Sequence, residues 1–466
     1  MLLLIGNLAS AASLDNIEIG GSWGSPTAEN PTAAWWNPAG LSSGGHQILV
    51  EAAPTFGSLQ IERAAPHGGP DTVEAAGVVP FAGFSTDFGI RGLGFGGALT
   101  VPTLRGGESI YNTDAETRGS GTYHLRAGDI RAANIILGAS YRFQDLIAVG
   151  ASVHSVNSSW SAVIDNDTMP DLYDELQNLG QTPDPKFYSD DNLESEEYAA
   201  VLDIGPLAAR KLTWGAGIQA SPVAQVDIGI AYVAPVALRH EGETTLYFSC
   251  PPQADVAGRF GAESFGICDT TAAADTAISY TLPGRLNAGV AVTPIDALRV
   301  EVMGGYVMWS AFKDFRVEVY NLAENNPDME EETAALLTQD RKWARDNQNS
   351  WFGGLDLKAR PTERWTVGGR LLYDTAAVPD VAMSPNNADA DTVMLSGIVT
   401  FQVLKPLTIG LSGAQYFSED RTITDSGFSM SLDESARPED RWNYPHGNGT
   451  YSNRFSRIGL SVLSAF

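Results

Sequence analysis

From about residue 47 to the end of the chain, apolar side chains recur at every second position in short segments. Leu298, Val300, Val302, Gly304, Tyr306 and Met308 interleave with Arg299, Glu301, Met303, Gly305 and Val307. Val226, Ile228, Ile230 and Tyr232 interleave with Asp227, Gly229 and Ala231, and Leu286, Ala288, Val290 and Val292 with Arg285, Asn287, Gly289 and Ala291. A period of two places one row on each face of a β-strand. One row is continuous, apolar and often aromatic-ended; the other is short, polar and glycine-rich. In a soluble sandwich the outward row carries Lys, Glu and Thr, whereas Lys is nearly absent from these segments. Lipid on one face and a lumen on the other account for the contrast.

The pattern predicts strands near 47–61, 73–86, 93–102, 131–143, 147–161, 212–221, 225–239, 283–293, 297–312, 350–359, 364–373, 391–402, 406–417 and 454–466. Connections alternate between short turns, such as Gln144-Asp145 and Pro361-Thr362, and long loops, such as 103–130, 162–211, 240–282, 313–349 and 418–453. Short turns at one rim and long loops at the other characterise bacterial outer-membrane barrels. The expectation is an all-β fold, a transmembrane antiparallel barrel of about fourteen strands, with both termini at the periplasmic rim. Two long loops carry helical spacing, with Leu172, Leu176 and Leu179 in one and Met329 to Trp343 in the other. The first is also crowded with acids, including Asp165, Asp167 and Asp171, whose spacing is not that of an EF-hand loop.

Composition narrows the function classes. Asp+Glu 56 against Lys+Arg 29 gives a net charge of −27, which repels phosphate backbones and argues against nucleic-acid binding. No apolar run approaches the ~18 residues of a membrane helix. The mean hydropathy of −0.10 has a soluble look, which is what two opposed rows on each strand average to. Residues 1–12 (MLLLIGNLASAA) end in an A-x-A pattern without a basic n-region, so they read either as a signal-peptide remnant or as a buried strand. Cys250 and Cys268 form a lone pair in a polar stretch, a disulfide if the chain is exported and two free thiols otherwise. The six histidines lack metal-ligand spacing and no G-x-S-x-G elbow occurs, so neither a metal, another cofactor nor an enzymatic centre is expected.

Residues 13–46 are small-residue-rich and not strand-like, which suits a hatch inside the lumen, with the barrel at 47–466. The run Trp35-Trp36-Asn37-Pro38-Ala39-Gly40-Leu41 resembles the N-terminal hatch of the FadL/TodX (OMPP1) family of outer-membrane channels for long-chain fatty acids and hydrocarbons. The order and spacing of later segments agree. Thr281-Leu282-Pro283 opens a strand pair ending in Tyr306 and Trp309-Ser310-Ala311-Phe312. Trp365-Thr366-Val367-Gly368-Gly369-Arg370 leads through Tyr373-Asp374 to Val378-Pro379, and a last strand ends at Phe466. The chain departs from the family at Asn387-Ala388-Asp389-Ala390-Asp391, where a P-D-x-D-R pattern is usual, and at Ser464, where an aromatic is common.

The resemblance implies passive uptake of hydrophobic small molecules, with capture by the loops 162–211 and 240–282, a pocket against the hatch and third strand, and a local shift of the hatch that releases the ligand laterally through the wall. Trp35, Trp36, Asn37, Pro38 and Ala39 are its hatch residues, as ligand wall or as simple turn and packing. Gly94, Gly96, Gly97 and Pro102 match the family's third-strand kink, with small lumenal residues as the plainer reading. Arg142, Arg285, Arg299 and Arg370 fall on the lumenal row, where each meets either a carboxylate headgroup or acids such as Glu301 and Asp374. Phe466 resembles the C-terminal signal read by the barrel-assembly machinery. The remaining expectations are a monomer surrounded by outer-membrane lipid and lipopolysaccharide in a Gram-negative bacterium. A hydrophilic porin, an adhesin or receptor acting through its loops, and a lipid-modifying barrel enzyme built around His154 are the rivals.

Overall fold

The computed structural model describes residues 18–64, 70–109, 127–167, 199–248, 270–327, 329, 338, 341–427 and 447–466. They form a closed 14-strand antiparallel β-barrel. The strands are β1 (Gln47–Arg63), β2 (Asp71–Thr86), β3 (Leu93–Ser109), β4 (Ala127–Phe143), β5 (Ile147–Asp167) and β6 (Ala199–Val223). Next come β7 (Val226–Val233 and Val236–Phe248), β8 (Thr270–Leu282 and Arg285–Ile295), β9 (Leu298–Val307 and Asp314–Tyr320) and β10 (Arg341–Ala344 and Ser350–Ala359). β11 (Trp365–Asp374), β12 (Thr392–Leu404), β13 (Leu407–Ser418) and β14 (Gly449–Ala465) complete the sheet. β14 pairs with β1 from Gln47↔Ala465 to Arg63↔Gly449, so the sheet has no edge.

The two rows sort as the alternation requires. On β8 the exposed Leu286, Val290 and Val292 face outward, and the buried Arg285, Asn287 and Ala291 face the lumen. In water the outward residues would be a vast apolar patch; against hydrocarbon they are the natural surface. Two aromatic girdles bound this belt. Trp214, Tyr306, Trp351 and Tyr373 are exposed toward the long-loop rim, and Phe88, Phe143, Trp365 and Phe466 toward the short-turn rim. At the short-turn rim, Gln144 and Asp145 adopt positive φ (50° and 58°), closing the β4–β5 hairpin.

Several strands run well past the expected ends. β5 reaches Asp167 and β6 begins at Ala199 inside the expected loop 162–211, and β7 and β8 likewise extend into 240–282. Residues Arg341–Ala344, read from sequence as the end of a helix, instead pair with β9 at Asp314–Val317. Above the outer girdle both strand faces meet water or the lumen, so the lipid-facing row that reveals a strand is gone. The expected helix around 172–179, both cysteines, Asp171 and residues 1–12 lie outside the described residues.

Among several register shifts in the wall, those around β3 and in β9 border the lumen above the hatch. Between β2 and β3 the register holds from Phe81↔Thr100 downward and again at Val73↔Ser109 and Glu74↔Glu108, but 75–80 and 101–107 are not paired with each other. β3 also slips against β4 between Thr100 and Thr103, with Pro102, which has no N–H to donate, inside the slip. Between β8 and β9, residues 280–284 face 308–315, so β9 carries surplus chain, which folds inward as the 3₁₀ turn Trp309–Ala311.

The lipid belt makes a quantitative prediction. Val302→Arg, halfway along the membrane part of β9, should destabilise the barrel by about 2–4 kcal/mol in urea-titrated folding into lipid vesicles. Ser310→Arg, beyond the girdle, should change it by less than about 1 kcal/mol. Equal effects at the two positions would contradict this placement of the membrane.

Candidate functional site: a hatch clamped in the lumen

Residues 18–46 are folded inside the barrel and are largely buried. A single helical turn, Ala33–Trp36, ends at Asn37, whose extended backbone (φ −162°) starts a 3₁₀ segment, Pro38–Ser43. The Asn37 side chain accepts the Ala39 N–H at 3.2 Å, and proline at the first position suits the turn's fixed φ. The Asn37 amide also donates to Pro26 O (3.0 Å) and to Ile218 O of β6 (3.1 Å). One side chain thus shapes the turn, ties it to the hatch's own loop and fastens it to the wall.

The wall meets the hatch with glycines. A Cβ at Gly229 would lie 2.1 Å from Pro26 O, one at Gly217 2.1 Å from Asn37 Oδ1, and one at Gly150 2.5 Å from the Ala39 nitrogen. Gly94 and Gly96 of β3 serve the same end, facing Ser42 and Leu41 of the hatch. These two and Gly97 lie in regularly paired ladder; the irregularity itself falls higher, at Pro102 and 101–107.

Buried arginines supply the polar attachment. Arg370 is 2% exposed; its guanidinium donates to Gly24 O (2.7 Å) and Gly21 O (3.3 Å) of the hatch and pairs with Asp356 at 2.6 Å. Arg299 bonds Thr27 Oγ1 and Asp227, each at 2.8 Å. Arg142 reaches Glu29 (3.3 Å) and Ser43. Arg285 lies over the Trp35 ring, 3.5 Å from its centroid. All four arginines expected on the lumenal row are there, and each touches the hatch. Of the acids proposed as their partners, Glu301 stands 4.0 Å from Arg299, while the closer partners are Asp227, Asp356 and Glu29.

A fifth arginine escaped the sequence reading. Arg457 of β14 donates to Glu18 O and to Glu51 Oε1, both at 2.7 Å, and is 4% exposed. It sits between the lipid-facing Ile458 and its lumenal neighbours, so the criterion that found the other four applies equally to it. Trp36 donates its indole N–H to Ile19 O (2.9 Å) and meets Phe352 of β10 edge-on.

Above the hatch the lumen is aromatic. Tyr280 stacks on His240 and on Phe312, both with centroids 5.0 Å apart, and Phe315 meets Phe312 edge-on at 4.9 Å. Trp160 and Trp309 join the same buried cluster. The inward turn of β9 therefore fills this part of the lumen with rings. The W-S-x-F run carried the signal, but only the surplus register of β9 says where it points. His154 of β5 is fully buried; its Nε2 lies 2.9 Å from Ser152 Oγ, and its Nδ1 has no hydrogen-bond partner among the described residues. A serine–histidine pair is present, then, and among the described residues no carboxylate bonds the imidazole from its other side. In the 375–391 segment, Asp389 accepts the Ala377 N–H (2.6 Å), and Arg421 reaches Asp389 O (2.7 Å) and Asp380. Arg421 thus brings a cation to the loop that lacks the family's usual arginine.

A lipid-girdled barrel with its own N-terminal segment folded into the lumen is a plugged outer-membrane barrel. The sequence from residue 20 to 442 matches the family model of outer membrane protein transport proteins (OMPP1/FadL/TodX), and the chain belongs to that family. No curated protein matches the sequence. Among solved structures, a Pseudomonas aeruginosa FadL homologue superposes with a TM-score of 0.75 at 15% identity, over 98% of this chain and 99% of that one. The P. putida toluene transporter TodX gives 0.65 at 15% identity, with 99% of each chain covered. The Ralstonia pickettii toluene transporter TbuX gives 0.62 at 14%, over 96% of this chain and 97% of that one. The protein is a Gram-negative outer-membrane transporter of hydrophobic compounds.

The clamp can be tested by replacing its most enclosed member. Arg370→Met removes two donors to hatch carbonyls and costs about 3–5 kcal/mol by leaving Asp356 buried, a figure softened by Lys358 at 3.7 Å. Amide exchange in residues 18–46 should rise at least tenfold while β11 stays protected. Adding Asp356→Leu should recover stability without restoring hatch protection. Unchanged exchange in the hatch would refute the clamp.

Proposed function

We propose that this chain takes up hydrophobic small molecules passively, by moving them past the hatch and out sideways through the wall between β2 and β3. The observation that carries the proposal is the stretch of β2 and β3 without mutual pairing at 75–80 and 101–107, above a lumen closed by the hatch. A closed barrel satisfies its backbone through continuous ladders, so a missing stretch is costly, and its place beside the plugged lumen makes it the candidate exit. A ligand captured between the long loops enters the aromatic region around Tyr280 and Phe312. It then passes over Trp35 and leaves at the level of Thr100 and Pro102. An apolar chain gains ~0.8 kcal/mol per buried CH₂, so a continuous apolar route needs no energy source. The clamped hatch favours this reading over an open porin.

The route is tested by bridging it. Val79 and Thr103 are both lumenal and buried on opposite sides of the unpaired stretch. Cysteines at these two positions, with Cys250 and Cys268 changed to Ser, are joined by a bis(methanethiosulfonate) cross-linker, which forms a disulfide with each thiol as methanesulfinate leaves and is cleaved by a reductant. Uptake of radiolabelled toluene, oleate and 1-naphthol should fall at least tenfold on bridging and return on cleavage. Uptake that ignores the bridge would remove lateral exit from the account.

A further inference from the structure

Four buried polar atoms around the top of the hatch have no hydrogen-bond partner among the described residues: Trp35 Nε1, Thr100 Oγ1, Asn134 Oδ1 and His154 Nδ1. Their residues are 4%, 0%, 6% and 0% exposed. They also belong together. Thr100 of β3 stands directly opposite Asn134 of β4, and His154 of β5 is opposite Ile136, one lumenal step along from Asn134. The Trp35 ring lies 6.1 Å from the His154 ring. The group borders the slip between Thr100 and Thr103, where the β2–β3 pairing ends. Each such atom left dry costs about 1–3 kcal/mol, and several on one face of one space point to something that fills it.

We infer that this is a subsite for the uncharged, hydrogen-bonding head of a hydrophobic molecule, a phenol or alcohol in chemical class. The inference rests on the uptake route proposed above and adds a substrate class to it. A hydroxyl both accepts and donates. Its oxygen takes the Trp35 N–H while its proton goes to Asn134 Oδ1, with Thr100 and His154 able to serve either way. A bare hydrocarbon leaves all four atoms unanswered. An anion would face the Asn134 carbonyl oxygen, which can only accept, and would have no proton to give it. A site built for a hydroxyl discriminates strongly against the analogue without one.

The test uses three probes with one ring system: naphthalene, 1-naphthol and 1-naphthoate, measured by equilibrium binding to the purified full chain in detergent at neutral pH. The expected order places 1-naphthol at least tenfold tighter than either of the others. Asn134→Leu should erase most of that preference while leaving naphthalene affinity within about threefold, and Trp35→Phe should weaken 1-naphthol binding at least threefold more than naphthalene binding. Equal affinity for all three probes, or a preference for 1-naphthoate, would overturn the subsite and leave the uptake route standing. Failure of all three to bind would instead bring down the uptake reading and this inference with it.

Discussion

The structure turns on how a polar backbone is held inside a tube that has no spare partners for it. The strands of a closed barrel use their own N–H and C=O groups in the ladder, so an internal segment must be satisfied by side chains or by itself. Here wall arginines do much of that work. Arg370 takes the carbonyls of Gly21 and Gly24, Arg457 that of Glu18, and Arg299 reaches Thr27. Their own charges are balanced by Asp356, Glu51 and Asp227 on the wall. This arrangement is strong but replaceable, because each bond is a side-chain contact and not a shared ladder. A hatch held in this way can loosen while the barrel stays intact.

The same logic explains where glycine goes. The 48 glycines of the chain exceed average usage, and those of the lumenal row at 94, 150, 217 and 229 are where hatch backbone presses on wall backbone. The surplus chain in β9 works in the opposite direction, adding bulk where the lumen is wide and filling it with Trp309 and Phe312. Between these regions lies the β2–β3 irregularity. Glycine-lined contact below, stacked rings above and an interrupted ladder to one side give the lumen a direction.

Much of this was legible in the sequence, for a physical reason. Lipid imposes an uninterrupted apolar row on every membrane strand, so all fourteen announced themselves, and the proline and asparagine of the hatch turn are local chemistry. What escaped is non-local. Arg457 and the Glu18 carbonyl that it holds are 439 positions apart. Residues 75–80, Ala75-Ala76-Gly77-Val78-Val79-Pro80, keep their full pairing with β1, and only the register against β3 shows where the ladder on that side is lost. Above the outer girdle, β5 and β6 continue without a lipid face, so their alternation no longer distinguishes strand from loop. Arg341 to Trp343 had helical spacing, yet β9 offered an open ladder, and pairing prevailed over local pattern.

The proposed uptake has one central requirement, that the hatch shifts to let a ligand pass. The ideal Cβ position of Gly289 on β8 lies 3.2 Å from Pro26 Cβ in the hatch, close to the ~3.5–4.5 Å separation of disulfide-bonded Cβ atoms. Cysteines at these two positions, in a chain lacking Cys250 and Cys268, would fasten the hatch to the wall reversibly. Uptake of a radiolabelled hydrophobic probe should be abolished when the bond is oxidised and recover when a reductant opens it. Undiminished uptake through a fully oxidised tether would contradict the account.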